Sequence, residues 1–103
     1  MEARFAKMLD EAGVDFEYEA QTWELLPKQT FQDESIRPVT YTPDFIIGDV
    51  AVEIKGFKND VYPLKRKLIA KFIKENRPDT VFIEAYTVAD MRKALDKILS
   101  IRK

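Results

Sequence analysis

Asp44, Glu53 and Lys55 are spaced so that a tight hairpin would bring them together. Gly48-Asp49 separates two apolar runs, and glycine followed by a polar residue signals a two-residue hairpin turn. With that turn, Ile47 faces Val50, Asp44 faces Glu53 and Thr42 faces Lys55. Directly opposed residues share a face, with Cβ atoms about 4.5–5.5 Å apart, and like charges so placed repel. Two carboxylates held this way need a cation, and the neighbouring ammonium suggests hydrolytic chemistry. The expectation is Mg²⁺, with Mn²⁺ as a substitute, held by Asp44, Glu53 and the main-chain carbonyl of Ile54. Such an ion lowers the pKa of a bound water and offsets charge on a phosphodiester. Lys55 would orient the attacking water and stabilise the developing negative charge. Glu2, reaching in from an N-terminal helix, is a further candidate ligand, direct or through water. A glutamate in a first helical turn is also favoured by the helix dipole alone.

The hairpin must then present two different faces, because side chains alternate along a strand. Phe45, Ile47, Val50, Val52 and Ile54 form an apolar, core-facing set. Asp44, Ile46, Ala51, Glu53 and Lys55 form the other. A one-residue slip would bury the charges and expose the core, so the pattern sets the register. Small Ala51 is expected to leave room there for an ion or a substrate.

Composition narrows the chemistry. The chain has 103 residues, enough for one domain, 1–103, with a single modest core. Histidine and cysteine are absent, which removes zinc-hydrolase sites, Ser-His-Asp triads and disulfides. Any metal would sit on oxygen ligands, which favours Mg²⁺ or Mn²⁺. With three glycines there is no phosphate-cradling P-loop. No apolar run is long enough to span a bilayer and no signal peptide is visible, so a cytoplasmic protein is expected, with no membrane partner. The net charge of −1 hides an asymmetry: residues 1–52 carry 4 basic and 11 acidic residues, residues 53–103 carry 13 and 7. That division points to an anionic partner.

The elements that would position these residues read in the order α-β-β-β-β-α-β-α. Residues 2–12 have helical spacing of Phe5, Met8, Leu9 and Ala12, stopped at Gly13. Val14, Phe16 and Tyr18 alternate as a strand, and 22–26 forms a second strand with Trp23 in the core. Residues 28–38 read as a loop or irregular hairpin tip, and 39–47 and 50–56 as the acidic hairpin. Asn59 or Asp60 can cap a helix over 61–76, buried through Leu64, Leu68, Ile69, Phe72 and Ile73. Its other positions carry Lys65, Arg66, Lys67, Lys71 and Lys74, which with Lys58 and Asn59 could contact phosphates flanking the scissile bond. Thr80–Ala85 reads as a buried strand, and Thr87 with Asp90 caps a last helix.

These residues resemble a known family. Glu2 on a first helix, Pro43-Asp44 and Glu53-Ile54-Lys55 resemble the PD-(D/E)xK nuclease superfamily. The stretches Met1–Gly13 and Phe16–Glu19 are similar to the N-terminal helix and strand of phage Holliday-junction-resolving endonucleases. Tyr41–Phe45 and Val52–Gly56 are similar to their catalytic strands, and Phe57–Leu68 resembles further phage proteins of that superfamily. The similarity spans most of the chain, with 28–38 and the last helix thinly covered. In that family residues precede the helical glutamate, whereas here it follows Met1 directly.

The resemblance implies an α/β, restriction-endonuclease-like fold, with a mixed central sheet flanked by helices. It implies Mg²⁺-dependent DNA cleavage, with Asp44, Glu53 and Lys55 catalytic and Glu2 supporting. The expected enzyme is a phage-encoded, structure-specific endonuclease acting on branched or Holliday-junction DNA in the host cytoplasm. Because one site nicks one strand, a homodimer is expected. A general or nicking DNA endonuclease is the enzyme alternative. A catalytically inactive nucleic-acid-binding module on the same fold, or a protein that uses the hairpin only as an interaction edge, are the alternatives from other classes.

Overall fold

The computed structural model describes residues 1–56 and 61–101. Phe57, Lys58, Asn59 and Asp60 lie outside the described residues, and with them the expected cap and two of the expected phosphate contacts. The fold begins with α1 (Glu2–Glu11), which buries Phe5 and Leu9. Gly13 adopts φ +70, open to glycine at no steric cost, and the Val14 N–H returns to the Leu9 carbonyl at 2.9 Å.

Seven strands follow: β1 (Glu17–Tyr18), β2 (Trp23–Leu26), β3 (Gln29–Phe31), β4 (Glu34–Ile36), β5 (Val39–Tyr41), β6 (Phe45–Ile47) and β7 (Val50–Ile54). After these come α2 (Tyr62–Asn76), β8 (Val81–Ala85) and α3 (Val88–Ile101). The fold is thus mixed α/β, but among the described residues seven strands rather than four precede the second helix. A four-stranded mixed sheet runs in the order β1-β6-β7-β8, antiparallel except for the parallel β7-β8 pair. The β2-β5 and β3-β4 pairs are separate two-stranded ribbons.

The expected register of the acidic hairpin is present. Ile47 pairs with Val50, Ile46 with Ala51 and Phe45 with Val52, around Gly48 at φ +59. Phe45, Ile47, Val50, Val52 and Ile54 pack with Phe5 and Leu9 of α1 and Met91, Ala94 and Ile98 of α3. The second face is also a core: Ile46 and Ala51 pack with Trp23, Tyr41, Tyr62 and Ile69 under α2. Ala51 is fully buried, so it leaves no room for an ion or a substrate. Its small side chain instead lets the ribbon and α2 close over the sheet. The charged residues emerge only at the strand ends.

Other expectations are corrected in the same physical terms. Residues 39–47 are two strands, because Pro43 has no N–H to give a ladder and restricts the residue before it. Residues 29–36 form a regular hairpin, with Gln32 at φ +49 and Asp33 at φ +66, both positive as a type I′ turn requires. The final strand, β8, is at the edge of the sheet rather than inside it. Its consecutive apolar residues serve two helix layers: Val81, Ile83 and Ala85 join the α3 side, and Phe82 joins the α2 side. Leu64 is 65% exposed, whereas Ile69 is buried as expected with Phe72 and Ile73 packed beside it, and Tyr62 takes the buried place in the first turn of α2. The cap of α3 is as expected: Asp90 N–H donates to Thr87 Oγ1 at 3.0 Å, and Thr87 N–H donates to Asp90 Oδ2 at 3.2 Å. Among the described residues, no helix is long and apolar enough to cross a membrane.

The β3-β4 hairpin adds no side chain to either core, and all of its strand residues are exposed. The radius of gyration, 15.3 Å, exceeds the roughly 13 Å usual for this chain length, consistent with a projecting arm. Replacing residues 28–37 by a two-residue turn should therefore change unfolding free energy by less than about 0.5 kcal/mol, as for surface changes generally. Urea denaturation checks this, and a loss well above that figure would mean that the arm packs on the body.

Candidate active site

Asp44 immediately precedes β6, at the step beyond the Phe45–Val52 pair, which sets it opposite Glu53 on β7. Both carboxylates are buried, each 8% exposed. The Asp44 position is held twice: its Oδ2 accepts the Ile54 N–H at 2.7 Å, and its main-chain carbonyl accepts the Glu19 N–H at 3.0 Å. Glu53 Oε1 accepts the Tyr41 hydroxyl at 2.6 Å, and Lys55 Nζ lies 3.4 Å from Glu53 Oε2. Lys55 continues the parallel ladder through its N–H to the Ala85 carbonyl at 2.9 Å. Its ammonium sits 4.1 Å from the centre of the Tyr62 ring, close enough for a cation–π contact. Asp44, Glu53 and Lys55 are therefore brought together, as their spacing anticipates.

Burial pushes the Asp44 carboxyl up to about 7, against the lowering effect of the Ile54 N–H, and the negative charges of Glu53 and Glu2 push the same way. Burial and the Glu53 charge likewise hold the Tyr41 hydroxyl well above its usual range, so it remains a proton donor to that carboxylate.

Glu2 does reach this end of the sheet. It accepts a short hydrogen bond from the Tyr18 hydroxyl, and its carboxylate, with those of Glu19 and Asp44, offers oxygens within 4.8 Å of one another. Glu53 is not part of that group. Glu19 was not singled out in the sequence, though β1 carries the signal. Tyr18 pairs with Phe45, so the next step sets Glu19 against Asp44. Glu84 was missed in the same way. Val50–Ile54 and Val81–Ala85 each carry glutamate at their fourth position, and the parallel register pairs Glu53 with Glu84. Glu19, Asp44, Glu53 and Glu84 thus form a row of acids, one from each successive strand or its end.

The donor set fits a hard divalent cation. It consists of oxygens, two of the carboxylates are buried, and the burial that mainly raises the Asp44 pKa, with the Glu53 and Glu2 charges adding to it, disfavours an anion that a cation would stabilise. Groups of acids on a protein surface also occur without ions, and here burial separates Asp44 and Glu53 from that background.

The basic helix divides into two sides. Lys65 Nζ lies 5.7 Å from the Tyr41 ring centre, and Arg66 Nε donates to Glu84 Oε1 at 2.8 Å, so both border the acidic row. Lys67, Lys71 and Lys74 line a shallow surface depression with Glu75, on the side of α2 opposite Tyr62 and Ile69, and Lys71 pairs with Glu75 at 2.6 Å. Lys67 and Lys71 are therefore not brought to the site. Trp23 is core, stacked on Phe72 with ring centres 5.3 Å apart.

Comparison of this chain with family models, with curated proteins and with solved structures returns no match, so its site is read from its own geometry.

Proposed function

We propose that this chain is a metal-dependent DNA endonuclease of the PD-(D/E)xK type, on a restriction-endonuclease-like fold, hydrolysing phosphodiester bonds in branched or junction DNA. The observation that carries the reading is the pair of buried, opposed carboxylates, Asp44 and Glu53, with the Lys55 ammonium 3.4 Å from Glu53. Burying two like charges costs several kcal/mol unless a cation or a proton offsets them. A fold that retains both is consistent with a use for the charge.

Asp44, Glu53 and the main-chain carbonyl of Ile54 would hold Mg²⁺ or Mn²⁺, with Glu2 assisting from α1. When bound, such an ion supplies Lewis acidity and charge neutralisation at the phosphate. The protein's own groups do the rest. The Ile54 N–H keeps one Asp44 oxygen in a single orientation, and the Tyr41 hydroxyl does the same for Glu53. Lys55 directs the attacking water and donates to the phosphate oxygen on which charge builds. Lys65 and Arg66, beside the acidic row, contact the flanking phosphates and position the strand. A single site cuts a single strand, so a homodimer would complete a paired cut.

The test is a cleavage panel of a four-way junction, a flap, a linear duplex and a single strand, each with Mg²⁺ and with EDTA. The expected result is cleavage in Mg²⁺ only, fastest on the branched substrates. Equal rates on all four would make this a general endonuclease. Salt-sensitive binding without cleavage would leave a nucleic-acid-binding module.

A further inference from the structure

Lys55 is an awkward side chain to use with precision. Its four-carbon stem is rich in rotamers, and that freedom must be offset if the ammonium is to stay in one place. Glu53 is one restraint, but a metal engaging Glu53 would compete for the same carboxylate. The Tyr62 ring is the other, and it is independent of any metal. Tyr62 is the first residue of α2, is 6% exposed, and its hydroxyl donates to Glu84 Oε2 at 2.6 Å. Arg66, one turn further along α2, donates from Nε to the other Glu84 oxygen at 2.8 Å. Both oxygens of Glu84 are thus engaged by α2, and Glu84 stands beside Glu53 in the parallel register.

We infer that Glu84 is a positioning residue for Lys55: it fixes the Tyr62 ring, with Arg66 holding Glu84 in turn, so that the ring aims the ammonium at the Glu53 side of the site. The role of Lys55 in hydrolysis rests on the nuclease reading above, whereas its placement by Glu84 through Tyr62 does not. The same contacts also tie α2 to β8, so a test must separate aim from attachment. The carboxylate of Glu84 is one acceptor too many for a purely apolar seam between a helix and an edge strand, and its position level with Glu53 is what an aiming role requires.

The experiment uses the full chain in two arms. In the first, proton and carbon resonances of the Lys55 side chain are recorded without metal. The ring current of Tyr62 should move the Lys55 ε-protons upfield of those of the other lysines. Glu84→Gln keeps an acceptor for the Tyr62 hydroxyl and should retain the shift. Glu84→Ala and Tyr62→Leu should lose it, and Tyr62→Phe, which keeps the ring but frees it from Glu84, should reduce it. In the second arm, kcat and DNA affinity are measured separately, the affinity in Ca²⁺. Glu84→Ala should lower kcat by about tenfold or more, the scale of a misplaced reacting group, while affinity should hold or rise, because the variant also frees Arg66 for a phosphate. Glu84→Gln should restore most of kcat. An unshifted Lys55 in the native protein, or a Lys55 resonance and kcat that survive both Glu84→Ala and Tyr62→Phe, would overturn the inference. Should Glu84→Ala fail to fold, Tyr62→Phe removes one oxygen atom and still decides it. Absence of DNA cleavage by the native chain would sink the nuclease reading, yet leave the resonance arm to judge the positioning.

Discussion

Lys55→Ala is expected to abolish cleavage while leaving DNA binding almost intact. The Lys55 side chain is 18% exposed, its ammonium sits between Glu53 and the Tyr62 ring, and it contributes to no apolar cluster. On the proposed function, its loss would remove a charge aimed where negative charge develops, an interaction worth about 10²–10³ in rate when a preorganised donor is deleted. The contacts that set affinity would, on the same proposed function, lie elsewhere, on Lys65 and Arg66 beside the acidic row and on other basic residues. Single-turnover cleavage and a binding isotherm on the same branched substrate separate the two effects. Parallel loss of rate and affinity would make Lys55 a phosphate anchor instead. An unchanged rate would remove it from the chemistry.

Asp44→Asn should stabilise the metal-free protein above neutral pH. The Asp44 carboxyl is raised from its ordinary 3.8 to about 7, first by burial and then by Glu53 and Glu2. Between about pH 4 and pH 7 the folded chain therefore holds a proton that the unfolded chain releases. The resulting stabilisation is full below pH 4 and is lost as pH rises through 7. At pH 8 the native side chain then costs up to about 4 kcal/mol relative to a neutral one. Asparagine can still accept the Ile54 N–H through its amide oxygen, so the substitution removes the charge and keeps the bond. Urea melts at pH 5 and pH 8 should show a native protein that weakens with pH across this window and a variant that does so less. Mg²⁺ at a hundredfold above its dissociation constant should add about 2.7 kcal/mol to the native protein and nothing comparable to the variant. A variant less stable than the native chain at pH 8 would contradict the argument.

Much of this site is legible before any coordinates, for a reason particular to hairpins. Once Gly48-Asp49 is read as a two-residue turn, pairing is arithmetic, and the opposition of Asp44 and Glu53 follows from apolar alternation. The same arithmetic was available for Glu19 and Glu84, but it needs the partners of β1 and β8, and strand order is not written in local pattern. Ala51 illustrates the opposite limit. Its smallness suits either an open site or a tightly closed core, and only the arrival of α2 and the Trp23 ribbon decides for the core. Leu64 fails likewise, because helical spacing gives a stripe some width and packing chooses its centre. The hairpin at 29–36 was legible only in part, since Gln32-Asp33 is a weaker turn signal than Asn-Gly although Asp tolerates positive φ.

The site draws on both halves of the chain, which differ in charge. Glu2, Glu19 and Asp44 come from the acidic half, and Lys55, Lys65 and Arg66 from the basic half. The fold places the two sets side by side, with Tyr41 and Tyr62 carrying hydrogen bonds between the elements. Net charge alone does not disclose that acidic and basic side chains meet at one end of the sheet.

Anomalous scattering from crystals grown in Mn²⁺ tests the central claim most directly. The expected result is a peak about 2.1 Å from carboxylate oxygens of both Asp44 and Glu53, abolished by Asp44→Asn. A saturated crystal with no peak there, or with one held by Glu2 and Glu19 that leaves Glu53 untouched, would contradict it.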